Sequence, residues 1–258
     1  MKNKTTIFDF QAEVGLTKRL GGLKTTEELI ELCHIDKDKY VLDVGCGVGV
    51  TPCYVARKYG CSVVGVDISE RMVDRSNERA RREGVEDNVE FRVADVQNLP
   101  FKDDLFDVVI GESVIAFPED KLRAVNECVR VIKPGGYIGI NESTWIKSPP
   151  PSELVEWASQ DLGGNAEILT SDGWVRLLEG AGLRDIVARA YRINTRSEAK
   201  NIIRRYGLME MLSIWYRALR LYVRNPAYRS FLKEVREVGP APENLDEYFG
   251  YGIYVGRK

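Results

Sequence analysis

The sequence predicts an α/β fold: a seven-stranded sheet with helices on both faces and a helical insertion between the last two strands. Three observations carry this. Short apolar runs alternate with longer amphipathic stretches through the first 142 residues, the pattern of a parallel sheet with crossover helices. The first run opens directly into a glycine-rich turn, Gly45-Cys46-Gly47-Val48-Gly49. The first three runs each end on or beside an acid, Asp43, Asp67 and Asp95.

The elements follow in order. Residues 1–40 read as one or two helices. Thr25-Thr26-Glu27-Glu28 marks a helix start, with a hydroxyl to cap and acids suited to the positive end. Leu29, Ile30 and Leu32 face inward from that helix. Tyr40 to Val44 is the first strand, and a helix runs from the glycine turn through Lys58. Ser62 to Asp67 is the second strand, followed by a helix that Ser69 caps and Gly84 ends. Val89 to Ala94 and Phe106 to Gly111 are the third and fourth strands. A helix over Lys121 to Ile132 stops at Lys133-Pro134-Gly135-Gly136, before a fifth strand, Tyr137 to Asn141. Nearly continuous apolar strands fit a sheet covered on both faces. Beyond Glu142, Ser148-Pro149-Pro150-Pro151-Ser152 is a rigid linker. Helices follow near 152–162 and 171–180, with Gly163-Gly164 between them. Ile186 to Ile193 and Phe249 to Val255 supply the last two strands. The roughly 55 residues separating those strands are too many for a hairpin loop and read as a lobe.

The expected organisation is a single domain over 1–258. Residues 1–38 form a helical cap, 39–145 the binding core, 146–195 the rest of the core, 196–247 the helical insertion and 248–258 the last strand. The chain is 44% hydrophobic and 29% charged with a formal net charge of -2, an ordinary globular composition with no overall drive toward nucleic acid. No apolar run approaches the roughly 20 residues that span a bilayer. Met1 to Asp9 lacks an apolar stretch of signal length, so a cytoplasmic protein is expected. Five cysteines, an odd number with no C-x-x-C pair, argue for free thiols and against a disulfide framework or zinc site; no metal is expected. The one histidine, His34, excludes any paired-histidine chemistry, and no G-x-S-x-G accompanies it.

Glycines at the turn remove Cβ atoms where backbone must approach a ligand. The glycine pattern alone serves dinucleotide enzymes, methyltransferases and ligand-free turns alike. The acids narrow it. Asp43, two residues before Gly45, suits a cationic ligand group and would repel a pyrophosphate. Asp67 is placed to accept from ribose hydroxyls, and Asp95 from an exocyclic adenine amine. All three fall at the carboxyl edge of the sheet, where open α/β sheets bind ligands.

Val41 to Gly49 resembles the first motif of class I S-adenosylmethionine-dependent methyltransferases. Val63 to Ser69, Arg92 to Phe101 and Phe106 to Ser113 resemble the second, third and fourth, and Val129 to Gly136 is similar to the stretch before that family's fifth strand. The likeness covers about residues 20–142 and is nearest to the small-molecule branch that includes ubiquinone and menaquinone biosynthesis. It implies a Rossmann-like, mostly parallel sheet with an antiparallel last strand. It implies S-adenosylmethionine as cofactor, S-adenosylhomocysteine as product and a small-molecule acceptor. Carried over, Gly45, Cys46 and Gly47 line the methionine part, with Asp43 near its amino group. Asp67 holds the ribose, Ile68 and Met72 pack on the adenine, and Asp95 with the Val96 backbone holds the adenine edge. Glu112 and Ser113 lie under the sulfonium. Leu20-Gly21-Gly22-Leu23 resembles a cofactor-lid turn, which places Gly22 at the cofactor; a plain helix-breaking turn reads equally well there.

Members of this branch often carry a histidine shortly after the fourth strand. This chain has Phe117 in that region, so Glu112 is the candidate base or substrate anchor, and an acceptor that is already nucleophilic needs none. Trp145, Trp157 and Trp174 read as core before site. Residues 196–237 hold ten Lys/Arg (196, 200, 204, 205, 217, 220, 224, 229, 233, 236) against four Glu (198, 210, 234, 237). Arg217, Arg220 and Arg224 share one helical face, beside an apolar face of Leu212, Trp215, Leu219 and Tyr222. The stretch reads as an amphipathic lid packed on the core. An anionic or lipid-like acceptor, a peripheral membrane contact and homodimerisation through the insertion are the alternatives for its basic face. No nucleic-acid partner is expected. Two other functions stay open: a protein or RNA methyltransferase, and a non-catalytic cofactor-binding regulator.

Overall fold

Backbone register joins the first five strands side by side, as their apolar character requires. In a computed structural model, residues 6–17, 20–162, 166–193, 202 and 206–258 are described. The strands are β1 (Tyr40–Val44), β2 (Ser62–Asp67), β3 (Val89–Val93), β4 (Phe106–Glu112), β5 (Ile132–Trp145), β6 (Leu169–Thr170), β7 (Arg184–Arg192) and β8 (Phe249–Arg257). The sheet order is β3-β2-β1-β4-β5-β8-β7, with the two-residue β6 beside β5. β1 to β5 pair in parallel, and β8 runs antiparallel between β5 and β7. The order reverses between β1 and β4, and that reversal opens the crevice in which such sheets bind ligands.

The helices are α1 (Ile7–Val14), α2 (Gly22–Leu32), α3 (Val50–Tyr59), α4 (Glu70–Glu83), α5 (Lys121–Val131), α6 (Ser152–Asp161), α7 (Ser171–Gly180), α8 (Leu208–Arg224), α9 (Pro226–Glu237) and α10 (Leu245–Tyr248). One core layer joins Leu42, Val64, Val109, Ile138 and Ile140 to α5 and α7, with Trp174 fully buried in it. The other joins Val41, Val63, Val108 and Ile110 to Leu29, Ile30 and Cys53 of α2 and α3. Burying each such side chain contributes roughly 1.5–3 kcal/mol, and strands apolar on both faces can be satisfied only between two helical layers. The five cysteines are free and buried.

Three expectations change. α2 begins at Gly22, with Gly21 in the left-handed region at its cap, so Thr25 and Thr26 are buried inside the helix and do not cap it. The reason is tertiary: Thr26 Oγ1 donates to Glu112 Oε1 at 2.8 Å. β5 extends past Asn141 to Trp145, because Glu142, Ser143 and Thr144 pair with β8 and are buried despite their polarity. The third concerns α8. Leu212, Trp215, Leu219 and Tyr222 are exposed, while Ile214 with Met211, Ala218 and Leu221 packs inward against Ala12, Val14 and Met72. Arg217 also turns inward, its Nε donating to Val14 O at 2.7 Å. The Gly163-Gly164 break, and Arg196, Glu198, Lys200, Arg204 and Arg205 of the basic stretch, lie outside the described residues.

Candidate functional site

The carboxyl ends of β1, β2 and β4 meet at the glycine turn. Gly45 and Gly47 hold φ of 66° and 56°, a region costly for any residue with a Cβ. Close packing adds a second reason for glycine. A Cβ on Gly45 would stand 2.5 Å from Val114 Cγ2, and one on Gly47 2.5 Å from Thr17 Cγ2. Cys46 N donates to Val66 O at 2.9 Å, tying the turn to β2. The Cys46 thiol is buried, and burial, with Asp43 and Asp67 nearby, pushes it well above the ordinary thiol range. It is neutral and unreactive in this setting. Asp43 is buried in β1 directly before the turn.

Asp67 ends β2 with both oxygens engaged. Oδ2 accepts from Gly47 N at 3.0 Å and Oδ1 from Ser69 N at 2.9 Å. Burial raises its carboxyl above the usual range, and the two N–H donors oppose that rise. Beside it, Ile68 is 73% exposed, a large apolar side chain without a protein surface to cover it. Met72, one turn into α4, is instead buried among Ala12, Val14, Val48 and Tyr206. Asp95 follows β3 and accepts from Gln97 N at 2.9 Å through Oδ1; Val96 is buried next to it.

Glu112 ends β4. Thr26 Oγ1 of α2 reaches its Oε1 at 2.8 Å and Thr51 Oγ1 of α3 its Oε2 at 2.7 Å. Ser113 follows at a φ of 59°, a strained backbone of the sort that clusters at functional sites. Gly22 is buried at the first turn of α2, and Asn141 Nδ2 of β5 donates to Leu20 O at 3.1 Å, holding the Leu20-Gly21-Gly22 turn against the sheet. Phe117 meets Phe8 of α1 edge to face at 5.0 Å.

The fold thus gathers Gly22, Asp43, Gly45, Cys46, Gly47, Asp67, Ile68, Asp95, Val96 and Glu112 along one sheet edge. It sets Met72 behind that edge, in the cluster joining the cap to the core. Sequence reasoning did not single out Thr26, Thr51, Thr17, Tyr206, Asn141 or Glu142. Tyr206 Oη accepts from Thr17 N at 2.8 Å, so the lobe holds the segment that covers Gly47. Glu142 Oε1 accepts from Val114 N at 2.8 Å and Ile115 N at 2.7 Å, shaping the loop after β4. A carboxylate at the end of a buried strand was the one signal that could have marked it.

A family model described as a methyltransferase domain matches residues 42–140. An uncharacterized protein of Haemophilus influenzae is 30% identical over 181 residues, 69% of this chain and 72% of that one. Phosphoethanolamine N-methyltransferase 1 of Arabidopsis thaliana is 33% identical over 168 residues, 65% of this chain; the match spans only 33% of that relative's length. Among solved structures, phosphoethanolamine N-methyltransferase 2 of Haemonchus contortus, in complex with phosphomonomethylethanolamine and S-adenosylhomocysteine, superposes with a TM-score of 0.71 over 97% of this chain and 56% of that one, at 18% identity. At that identity the likeness concerns the fold alone.

Proposed function

We propose, from the premise that this chain belongs to the class I S-adenosylmethionine-dependent methyltransferases, that it carries a methyl group from S-adenosylmethionine to a small-molecule acceptor in the cytoplasm. The observation that carries the reading is the end of β2. There Asp67 is fixed by the Gly47 and Ser69 amides beside an Ile68 left open to solvent. A nucleoside fits that pair, its ribose hydroxyls donating to the carboxylate and its base covering the isoleucine. Asp95 and the Val96 backbone would hold the base edge, Gly45, Cys46 and Gly47 the methionine part, and Asp43 its cationic amino group. Gly22 would close over the cofactor from the cap side, whereas Met72, buried among Ala12, Val14, Val48 and Tyr206, is set behind the adenine position that the resemblance implied for it.

The cofactor supplies an activated methyl and its own leaving group, so this chain's task is to position and to exclude water. Glu112 is placed for that. Two hydroxyl donors hold its carboxylate still, which favours a fixed negative charge that anchors cofactor or acceptor over a proton shuttle. An anionic or lipid-like acceptor is the class we infer; the Arabidopsis relative is named for a phosphorylated amine. The basic lobe supplies a further contact, for which its composition admits a second copy or a membrane surface.

Calorimetric titration with S-adenosylmethionine tests the reading. Wild type should bind in the micromolar range. Asp67→Ala, which removes a charged hydrogen-bonding group, should lose about a hundredfold. A folded wild type that takes up no cofactor overturns it. Release of S-adenosylhomocysteine in the presence of anionic and lipid-like acceptors then identifies the acceptor class.

A further inference from the structure

On α8 the exposed positions are all apolar or aromatic except Arg220 and Arg224. Leu208, Leu212, Trp215, Tyr216, Leu219 and Tyr222 follow one another along the outer side, with Met209 at 79%, Trp215 at 68% and Leu219 at 63% exposure. At 100° per residue these positions cover an arc about 140° wide along a helix about 26 Å long. Arg220 and Arg224 flank that arc on one side. The inner side is already committed: Ile214, Ala218 and Leu221 pack against α1, and Arg217 bonds Val14 O and Glu210. Contiguous apolar surface of this extent marks a contact site.

We propose that α8 lies along the surface of an anionic lipid bilayer, its apolar arc at the acyl boundary and Arg220 and Arg224 at the headgroups. Two observations select this occupant. The outer side carries the aromatic residues that favour the interface between water and lipid, bordered on one side by Arg220 and Arg224 and free of acids. The charges also argue against a second copy. Glu210 is the one acid of α8, and it already pairs with Arg82 and Arg217, each at 2.9 Å. An antiparallel second α8 would leave Arg220 and Arg224 without an acid, and a parallel one would set them against their own kind. Among the described residues no helix is long and apolar enough to cross a membrane, so α8 would lie on the bilayer. The same helix braces α1, and Tyr206 just before it holds Thr17 over Gly47. Docking would therefore bring the cap side of the site to the lipid. The proposal stands independently of methyl transfer.

Flotation of the full chain with phosphatidylcholine vesicles, with and without phosphatidylglycerol, tests it. The chain should float with the anionic vesicles and be released by high salt. Trp215 emission should shift to the blue, a change missing from a Trp215→Phe variant that still binds. Arg220→Gln with Arg224→Gln should weaken binding to anionic vesicles about thirtyfold, at about 1 kcal/mol for each cation lost. Trp215→Ser with Leu219→Ser should abolish binding. Both double variants alter exposed positions, and an unchanged thermal transition certifies their fold. Failure to bind anionic vesicles overturns the proposal. A dimer in light scattering that Trp215→Ser with Leu219→Ser turns monomeric would then assign the face to a second copy. Equal affinity for neutral vesicles overturns the role of the arginines.

Discussion

At Glu142 a carboxylate is buried to 1% exposure. One of its oxygens accepts two backbone N–H groups, while Oε2 has no donor among the described residues. Burial raises its pKa from 4.5 to about 7, against the pull of those amides. The folded state therefore binds this proton more tightly than the unfolded chain. The stabilisation is complete below the unfolded pKa and is lost as pH rises through about 7. The full span is worth on the order of 3 kcal/mol. Urea titrations should show stability falling between about pH 4.5 and 7 and levelling off above that, and Glu142→Gln should flatten that slope. An unchanged slope in the variant would assign the pH dependence to other groups. Glu112, by contrast, has a hydroxyl on each oxygen, so its geometry is set by α2 and α3 together.

Between elements, the contact of α1 with α8 decides how firmly the site is covered. Thr17 rests on Gly47 and is held there by Tyr206, whose Oη lies 2.8 Å from Thr17 N and 3.1 Å from Thr17 Oγ1. The Arg79 guanidinium sits 5.6 Å from the Tyr206 ring centroid and donates to Val48 O at 2.8 Å, linking α4 to the same joint. Tyr206→Phe keeps the ring and removes the hydroxyl. Hydrogen exchange at the Thr17 amide should then quicken about fivefold, for a bond worth roughly 1 kcal/mol. Cofactor release in stopped flow should quicken with it. Normal exchange at Thr17 in the variant would show that packing of Ile214 and Val14 alone holds the segment.

Across the whole molecule, β8 fills an interior place in the sheet one strand from its β7 edge. β8 is bonded on both sides, to β5 and to β7, and its Ile253 and Tyr254 are fully buried. Lys258 Nζ pairs with Asp104 at 2.7 Å and Lys258 N donates to Gly136 O at 3.0 Å. A chain ending at Tyr248 would leave two strand edges unpaired and two core layers open. It should lack a cooperative thermal transition, and circular dichroism with a melting curve checks this. A truncated chain that melts cooperatively would show that β1 to β5 stand alone. The β5–β8 pairing also joins residues more than 100 positions apart, so folding should be slower than in helical proteins of this size.

The sequence by itself determined seven of the strands, the glycine turn and the placing of the acids Asp43, Asp67 and Asp95 near strand ends. These rest on local signals: apolar runs, glycines at turns, and carboxylates at or within two residues of a strand end. It also nominated Gly22, Ile68 and Glu112 as cofactor contacts, through resemblance to a family whose motifs are contiguous in the chain. The side-by-side order of the strands and the short β6 came from the tertiary structure. Tertiary structure alone decided that Thr26 and Thr51 converge on Glu112, that Asn141 and Glu142 are buried, and that β5 continues to Trp145. Periodicity registers which residues share a face, and it carries no information on which face finds a partner. Both faces of α8 are apolar, so Leu212, Trp215, Leu219 and Tyr222 read as the buried side. Packing against α1 gave that place to Ile214, Ala218 and Leu221 and left the aromatic side outward, because burial depends on neighbours distant in sequence.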